Sequence, residues 1–122
     1  MSMHPNTRAC VAYVAVRLIS QKSGGAIYDY SKSGYINIDG SISSATVDVY
    51  DYDRRCHFGG SGSSGKFDLY DYGGRHHVEL KLNGAKFEGY DYGAKCFFSG
   101  DVNGSNVSFY DYGASRYFDF SL

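Results

Sequence analysis

Two cysteines and a histidine recur at an interval of 20 residues, at Cys56, His76 and Cys96. Thiolate and imidazole groups are common zinc ligands, and a cysteine beside a histidine can also act as a nucleophile. A zinc site needs about four ligands in a tetrahedron, which a linear column of three residues does not supply. The sequence also identifies no cleft, base-orienting group or oxyanion site. We therefore interpret the three as buried corner residues, and predict no catalytic residue, no metal site and no cofactor.

A second periodic set consists of aspartates, each between two tyrosines. Five carboxylates in register would offer the oxygen ligands that Ca²⁺ prefers, although the Gly- and Asp-rich nonapeptide of calcium-binding β-rolls is absent. Stacked carboxylates repel one another, and hydrogen bonds from the backbone of a following turn would offset that repulsion. We favour this Asx-turn interpretation for Asp29, Asp51, Asp71, Asp91 and Asp111.

The flanking tyrosines complete a Tyr-Asp-Tyr tripeptide that occurs five times. Side chains alternate between the two faces of a strand, so both tyrosines of each copy should lie on the outward face, opposite the aspartate. Such an aromatic surface suits sugar rings, stacked bases or a second protein. The alternative is a structural ladder that supports the sheet through cross-strand contacts. The predicted binding face comprises Tyr28, Tyr30, Tyr50, Tyr52, Tyr70, Tyr72, Tyr90, Tyr92, Tyr110 and Tyr112.

A basic stripe follows three of the tripeptides, at Arg55, Arg75 and Lys95. Cations beside stacked tyrosines suit single-stranded nucleic acid, whose bases stack on the rings while the cations follow the backbone. They would equally suit an acidic polysaccharide. Alternatively, the cations neutralise the aspartates or lie across tyrosine rings. The net charge of −1 argues against a duplex-DNA-binding protein.

The elements that must position these residues follow from the repeat. Successive tripeptides begin 22, 20, 20 and 20 residues apart, and each copy reads as two alternating strands joined by polar or Gly-rich corners. The fixed period favours an all-β parallel β-solenoid of about five 20-residue rungs, because stacked rungs tolerate insertions only at corners. The alternative is a closed antiparallel up-and-down β-barrel of about ten strands, since Asn-Gly is also a hairpin signal. Either fold makes residues 1–122 a single domain whose repeats occupy residues 23–122.

Residues 6–22 interrupt the repeat pattern and are predicted to form a helix. Asn6 or Thr7 can cap it and Gly24-Gly25 can end it, although the many β-branched residues leave a strand as the alternative. In the solenoid this helix would cap the first rung. The last rung has no such cap, so we predict a homo-oligomer through that end, formed by Phe109, Phe118, Phe120 and Leu122.

The sequence also gives indications of the cellular compartment in which the protein is located. No apolar run reaches the length of a membrane span, and the apolar stretch from Ala9 to Ile19 lacks the features of a secretory signal. Three cysteines, an odd number, fit a reducing compartment better than a disulfide framework. We therefore predict a cytoplasmic location and no membrane span.

Two resemblances extend these predictions. The run from Asn6 to Ser20, followed by copies of Ile27-Tyr28-Asp29-Tyr30, resembles a group of short bacterial proteins built on Tyr-Asp-Tyr repeats. This resemblance covers nearly the whole chain and implies a bacterial source but no particular activity. The segment from Ser99 to Gly104 is similar to the rungs of bactofilins and adhesin-like β-solenoids, and the likeness to bactofilins implies polymerisation. The sequence thus predicts a non-enzymatic protein, with self-assembly first and binding of a glycan or single-stranded nucleic acid as the alternative.

Overall fold

The computed structural model describes residues 2–122, which form one helix followed by ten strands. Helix α1 spans Pro5–Ser20. The strands are β1 Ala26–Asp29, β2 Gly34–Ile42, β3 Thr46–Asp51, β4 Cys56–Ser63, β5 Lys66–Asp71, β6 His76–Asn83, β7 Lys86–Asp91, β8 Cys96–Asn103, β9 Asn106–Asp111 and β10 Arg116–Ser121.

The strands form a closed antiparallel barrel in which each strand pairs with its neighbours in the chain. Strand β1 closes the barrel by pairing with β10, where Tyr28 lies opposite Ser121 and Asp29 opposite Phe120. The structure therefore confirms the up-and-down barrel that the sequence allowed as an alternative. The parallel solenoid that the fixed period favoured is wrong.

The corners show why a constant period is compatible with a barrel. At one end of the barrel, each four-residue connection finishes with a residue in the left-handed region, such as Arg55 or Arg75, both at φ 58°. At the opposite end, Gly84 and Gly104, at φ 61° and 62°, begin two-residue hairpin loops. Both corners reverse the chain direction, so one 20-residue repeat supplies one upward and one downward strand of nearly constant length.

Helix α1 lies inside the barrel. Residues from Asn6 to Val16 are buried around the whole circumference of the helix, and Ala9 to Val16 have no exposed surface. A helix that is buried on all sides is a core element and not a surface cap. The helix was predicted over residues 6–22 and is found over Pro5–Ser20, but the capping role is wrong. Among the residues that the structure describes, no helix has the length and apolar character of a bilayer span.

The size of the barrel explains the position of the helix. About eight strands enclose a lumen that side chains alone can fill, and ten enclose a wider one. Inward-facing glycines make room for the helix on parts of the wall: Gly89 lies opposite Phe98, and Gly100 opposite Phe87. A Cβ atom on either glycine would collide with the facing ring and with a backbone carbonyl. Small and large side chains thus alternate around the helix.

The residues predicted to form an oligomer interface at the C-terminal end are largely buried and cannot contact a second chain. Phe109, Phe118 and Phe120 face the lumen and are at most 6% exposed. Leu122 is half-buried, and its backbone N–H donates to the carbonyl of Ser105 at 2.8 Å. Because β10 is hydrogen-bonded to both β9 and β1, this end has no open rung and no free strand edge.

Candidate binding site on the aromatic belt

The five repeat aspartates form a ring inside the end of the barrel where α1 begins, and each is at most 1% exposed. The Oδ1 atom of Asp71 accepts hydrogen bonds from the backbone N–H groups of Gly73 and Gly74, at 3.0 and 3.1 Å. The other four aspartates accept backbone N–H groups of their own turns in the same way. The Asx-turn interpretation is therefore confirmed. Within residues 2–122, no cluster of three or more His, Cys, Asp or Glu side chains is arranged to hold a metal ion.

Three of these aspartates also hold the first turn of α1. Asp51 Oδ2 accepts a hydrogen bond from Asn6 Nδ2 at 3.1 Å, and Asp71 Oδ2 accepts one from the hydroxyl of Thr7. Asp111 Oδ2 lies 3.1 Å from Arg8 Nη1 in a buried ion pair. The N-terminal end of a helix carries a partial positive charge, so the carboxylate ring also stabilises α1 electrostatically.

The ionisation of Asp71 makes the stability of the fold depend on pH, so its contacts can be tested by acid titration. Burial acts to raise the pKa of Asp71, but the hydrogen bond from Thr7 and the charge of Arg54 outweigh it, and the pKa lies below its ordinary value of 3.8. A carboxylate with a depressed folded pKa stabilises the fold above its unfolded pKa, and this stabilisation is lost as the pH falls through the folded pKa.

We therefore expect Thr7→Val to move the acid-unfolding midpoint to higher pH. The substitution removes a donor to Asp71, so the folded pKa returns toward its ordinary value and the stabilisation above about pH 4 shrinks by roughly 1–2 kcal/mol. Circular dichroism during acid titration, with urea unfolding at neutral pH, would measure both effects. Thr46→Val, at an exposed position, is the matched control. A midpoint equal to that of the control would contradict the proposed role of Thr7.

The periodic cysteines and histidine lie at the same end of the barrel but do not come together. Cys56, His76 and Cys96 lie at the starts of β4, β6 and β8, which are separated by intervening strands. Cys96 is buried, and burial raises its thiol pKa to about 11. His76 Nε2 lies 2.9 Å from Asp91 Oδ1 but is not aligned for a hydrogen bond. The interpretation as buried corner residues is confirmed for Cys96, whereas Cys56 and His76 are only partly buried.

On the outer surface, the ten repeat tyrosines form a belt around the same end of the barrel. Within each tripeptide the first ring is partly buried and the second is about half exposed. The two rings meet edge to face, for example at 4.8 Å between the centroids of Tyr70 and Tyr72. The predicted outward orientation is confirmed. The tripeptides do not stack as a continuous column, because a second type of strand separates each from the next.

A third ring, which the sequence analysis missed, completes each tyrosine pair. It lies seven residues after the first tyrosine, directly opposite it on the neighbouring strand, as His77 does opposite Tyr70. If the two strands that flank each Tyr-Asp-Tyr turn had been paired as an antiparallel hairpin, the sequence would have revealed this set of rings. Its members are Tyr35, His57, His77, Phe97 and Tyr117.

These third rings divide the belt into two arcs. The histidine arc contains the second and third repeats, where His57 Nδ1 lies 3.4 Å from Asp48 Oδ1 and His77 Nδ1 lies 3.5 Å from Asp68 Oδ1. The aromatic arc contains the other three repeats. Its third rings are all more than 60% exposed, and they are Phe97, Tyr117 and Tyr35.

The basic stripe lies at the turns beside the belt. Arg55, Arg75 and Lys95 are exposed. The buried carboxylates are paired with other cations: Arg8 contacts Asp111, and Arg54 contacts both Asp51 and Asp71. Acidic side chains dominate the wall on the other side of the belt, with an outward-facing set of Asp39, Asp48, Asp68, Glu79, Glu88, Asp101 and Asp119.

Two adjoining grooves open on the outer wall, with volumes of about 760 and 610 Å³. The first lies beside the histidine arc, and the second reaches the aromatic arc at Phe97 and Tyr112. The first lies beside β4, where small residues leave a trough between larger side chains. Asp68 and Glu79 face each other across the β5–β6 pair, and the hydroxyl of Tyr92 donates to Glu79 Oε1. The lining of this first groove is Ser61, Gly62, Ser63, Lys66, Phe67, Asp68, His76, His77, Glu79 and Tyr92.

No protein-family model, curated protein or solved structure matches this chain. Function must therefore be inferred from the belt, the grooves and the charges around them. The groove beside the histidine arc combines an aromatic ring with hydroxyl, carboxylate, imidazole and ammonium groups. Such a combination can pack against an apolar face of a ligand while its polar groups exchange hydrogen bonds with the ligand's edge.

Proposed function

We propose that this protein is a non-enzymatic binding module that holds a neutral glycan in the first groove. The observation that carries the proposal is the position of Tyr92, which is 48% exposed, at a groove that Asp68, Glu79 and Lys66 also line. A sugar ring has an apolar face that packs on an aromatic ring and hydroxyl groups that need donors and acceptors. Tyr92 is oriented by its hydrogen bond to Glu79 and by its edge-to-face contact with Tyr90.

The filled lumen supports a site on the outer wall. Small closed barrels can hold a ligand inside, as lipocalins do. Here α1 occupies that space, and its residues Ala9 to Val16 have no exposed surface. A rigid scaffold also favours binding, because groups that are already positioned lose little conformational freedom when a ligand binds.

The charges favour a glycan over single-stranded nucleic acid. The basic stripe flanks the belt only on the side of the turns, and the nearby wall carries Asp48, Asp68, Glu79 and Glu88. A polyanionic backbone that crossed the belt would meet these carboxylates. The three cysteines are free, which supports a reducing compartment such as the cytoplasm as the location.

The proposal is tested by measuring how the protein binds a panel of neutral oligosaccharides, with glycan-array screening followed by calorimetry. We expect Tyr92→Ser to weaken binding by about tenfold or more, because stacking contacts at an anchoring ring are lost. We also expect Glu79→Gln to weaken it, because an acceptor and the partner of Tyr92 are altered. Binding should change little with salt, whereas nucleic-acid binding would weaken steeply.

Tyr52→Ser is the matched control, because Tyr52 occupies the same repeat position and is similarly exposed but does not line the first groove. It should leave glycan affinity unchanged. Absence of binding across the panel would contradict the proposal. Equal losses for Tyr92→Ser and Tyr52→Ser would contradict the assignment to this groove.

A further inference from the structure

The second groove continues the first one across the outer wall. The two grooves share three lining residues, which are Lys66, Phe67 and Glu79. The first groove lies over β4, β5 and β6, and the second extends over β7 and β8 to Phe97 and Tyr112. Together they cross five neighbouring strands, which at the usual strand spacing corresponds to about 19 Å of surface. The wall therefore carries one continuous trough that is longer than a disaccharide.

An exposed tyrosine lies at the second groove in the same way as Tyr92 lies at the first. The hydroxyl of Tyr92 donates to Glu79, and the hydroxyl of Tyr112 lies 3.4 Å from Ser99 Oγ. In both pairs the tyrosine contacts the outward-facing residue that precedes it by 13 positions. Tyr92 is 48% exposed and Tyr112 is 55% exposed, so both rings can receive a ligand. The second groove thus has an anchoring ring equivalent to that of the first.

The polar groups of the second groove suit an uncharged ligand. Its charged side chains are two lysines and two glutamates, whose formal charges cancel: Lys66, Lys81, Glu79 and Glu88. Lys81 lies opposite Glu88 on the neighbouring strand, but among residues 2–122 neither side chain forms an ion pair. Their ammonium and carboxylate groups are therefore free to exchange hydrogen bonds with sugar hydroxyls.

The curvature of the wall restricts the shape of a ligand that fills both grooves. The trough crosses five of the ten strands of a closed barrel, so the surface turns away between its two ends. A β-linked glucan is flat and straight, and it would leave the wall at one anchoring ring while it contacts the other. An α-linked glucan bends along its length and can follow the curved trough.

Given that the first groove holds a neutral glycan, as proposed above, we propose that the second groove is a further subsite for the same chain. The ligand is then an α-linked neutral oligosaccharide, a tetrasaccharide or longer. One of its sugar rings packs on Tyr92 and another packs on Tyr112. These tyrosines follow strands that lie two positions apart in the sheet, a separation of about 10 Å, which corresponds to two sugar units along a chain.

Calorimetry with maltose and maltotetraose tests the second subsite, because only the longer chain can reach both anchoring rings. The wild-type protein should bind maltotetraose about tenfold or more tightly than maltose, since the second ring adds an anchor. Tyr112→Ser should remove this gain and leave the affinity for maltose unchanged, which also shows that the variant is folded. Tyr92→Ser should weaken the binding of both sugars. Cellotetraose, which is straight, should bind little more tightly than cellobiose.

Tyr30→Ser is the matched control and should leave both affinities unchanged. Tyr30 is 56% exposed and its hydroxyl lies 3.4 Å from Ser121 Oγ, as in the Tyr112 pair, but it lines neither groove. Equal wild-type affinities for maltose and maltotetraose, a gain that survives Tyr112→Ser, or tighter binding of cellotetraose than of maltotetraose would each overturn the inference. If Tyr92→Ser still weakens disaccharide binding in those cases, the first groove stands as the glycan site. Absence of binding to every oligosaccharide would overturn both proposals.

Discussion

Replacement of Asp111 by alanine is expected to lower the free energy of unfolding by about 3–5 kcal/mol, because it leaves a buried arginine without its counter-charge. Asp111 has no exposed surface and accepts hydrogen bonds from Met3 N at 3.0 Å and Arg8 Nη1 at 3.1 Å. Arg8 is only 6% exposed and has no other carboxylate within ion-pair distance among residues 2–122. Burial lowers the pKa of Arg8, and the hydrogen bond to Asp111 opposes that shift.

Asp91→Ala is the matched control. Asp91 is equally buried and accepts the backbone N–H groups of its own turn, from Gly93 at 2.8 Å and Ala94 at 3.3 Å. Within the described residues it makes no hydrogen bond to α1, so its loss should cost only about 1–2 kcal/mol. Urea unfolding followed by circular dichroism would compare the two variants. Equal losses would show that the aspartates act through their turns alone and that the ion pair with Arg8 adds nothing.

Removal of residues 1–22 is expected to abolish folding of the barrel. Each buried valine or tyrosine contributes roughly 1.5–3 kcal/mol by leaving water. Val11, Tyr13, Val14 and Val16 are all fully buried in the lumen. Their combined contribution is comparable to the roughly 5–15 kcal/mol by which small domains are stable. Without α1, Asp51, Asp71 and Asp111 would also lose their hydrogen-bond donors on the helix, which are Asn6, Thr7 and Arg8.

Circular dichroism and amide dispersion in NMR spectra would measure this loss for the truncated chain. We expect co-refolding with a synthetic peptide of residues 1–22 to restore the barrel as a one-to-one complex. The same peptide with Val14→Asp should fail, because it would place an unpaired carboxylate in the apolar part of the lumen. A truncated chain that folds by itself would show that α1 is only an accessory to the barrel.

Strand alternation was sufficient to predict which repeat residues face inward. The Tyr-Asp-Tyr pattern placed Asp71 inside and Tyr70 and Tyr72 outside, and both placements are confirmed. The same local argument identified the Asx turns, because an aspartate before a tight corner needs donors that the turn supplies. These features depend on residues close together in the chain, and they hold in a solenoid and in a barrel alike.

The third ring beside each tyrosine pair could be identified only from the strand pairing. The division of the belt into two arcs depends on the same pairing. His77 faces Tyr70 only because β6 returns antiparallel to β5 in this register. The two grooves likewise require β4 to lie beside β5 and β6 beside β7. Intervals counted along the chain instead aligned Cys56, His76 and Cys96, which the intervening strands keep apart.

The sequence by itself determined the repeat, the two strands in each copy, the inward aspartates and the outward tyrosines. It predicted a helix before them, with a strand as the alternative. Tertiary structure alone decided that β1 meets β10 and that α1 enters the lumen. The physical reason is that local alternation is satisfied equally by stacked rungs and by hairpins, whereas closure depends on strand number and register around the whole sheet. Once ten strands close, the lumen must be filled, and the buried helix fills it. The same closure seals the phenylalanines at the C-terminal end inside the core.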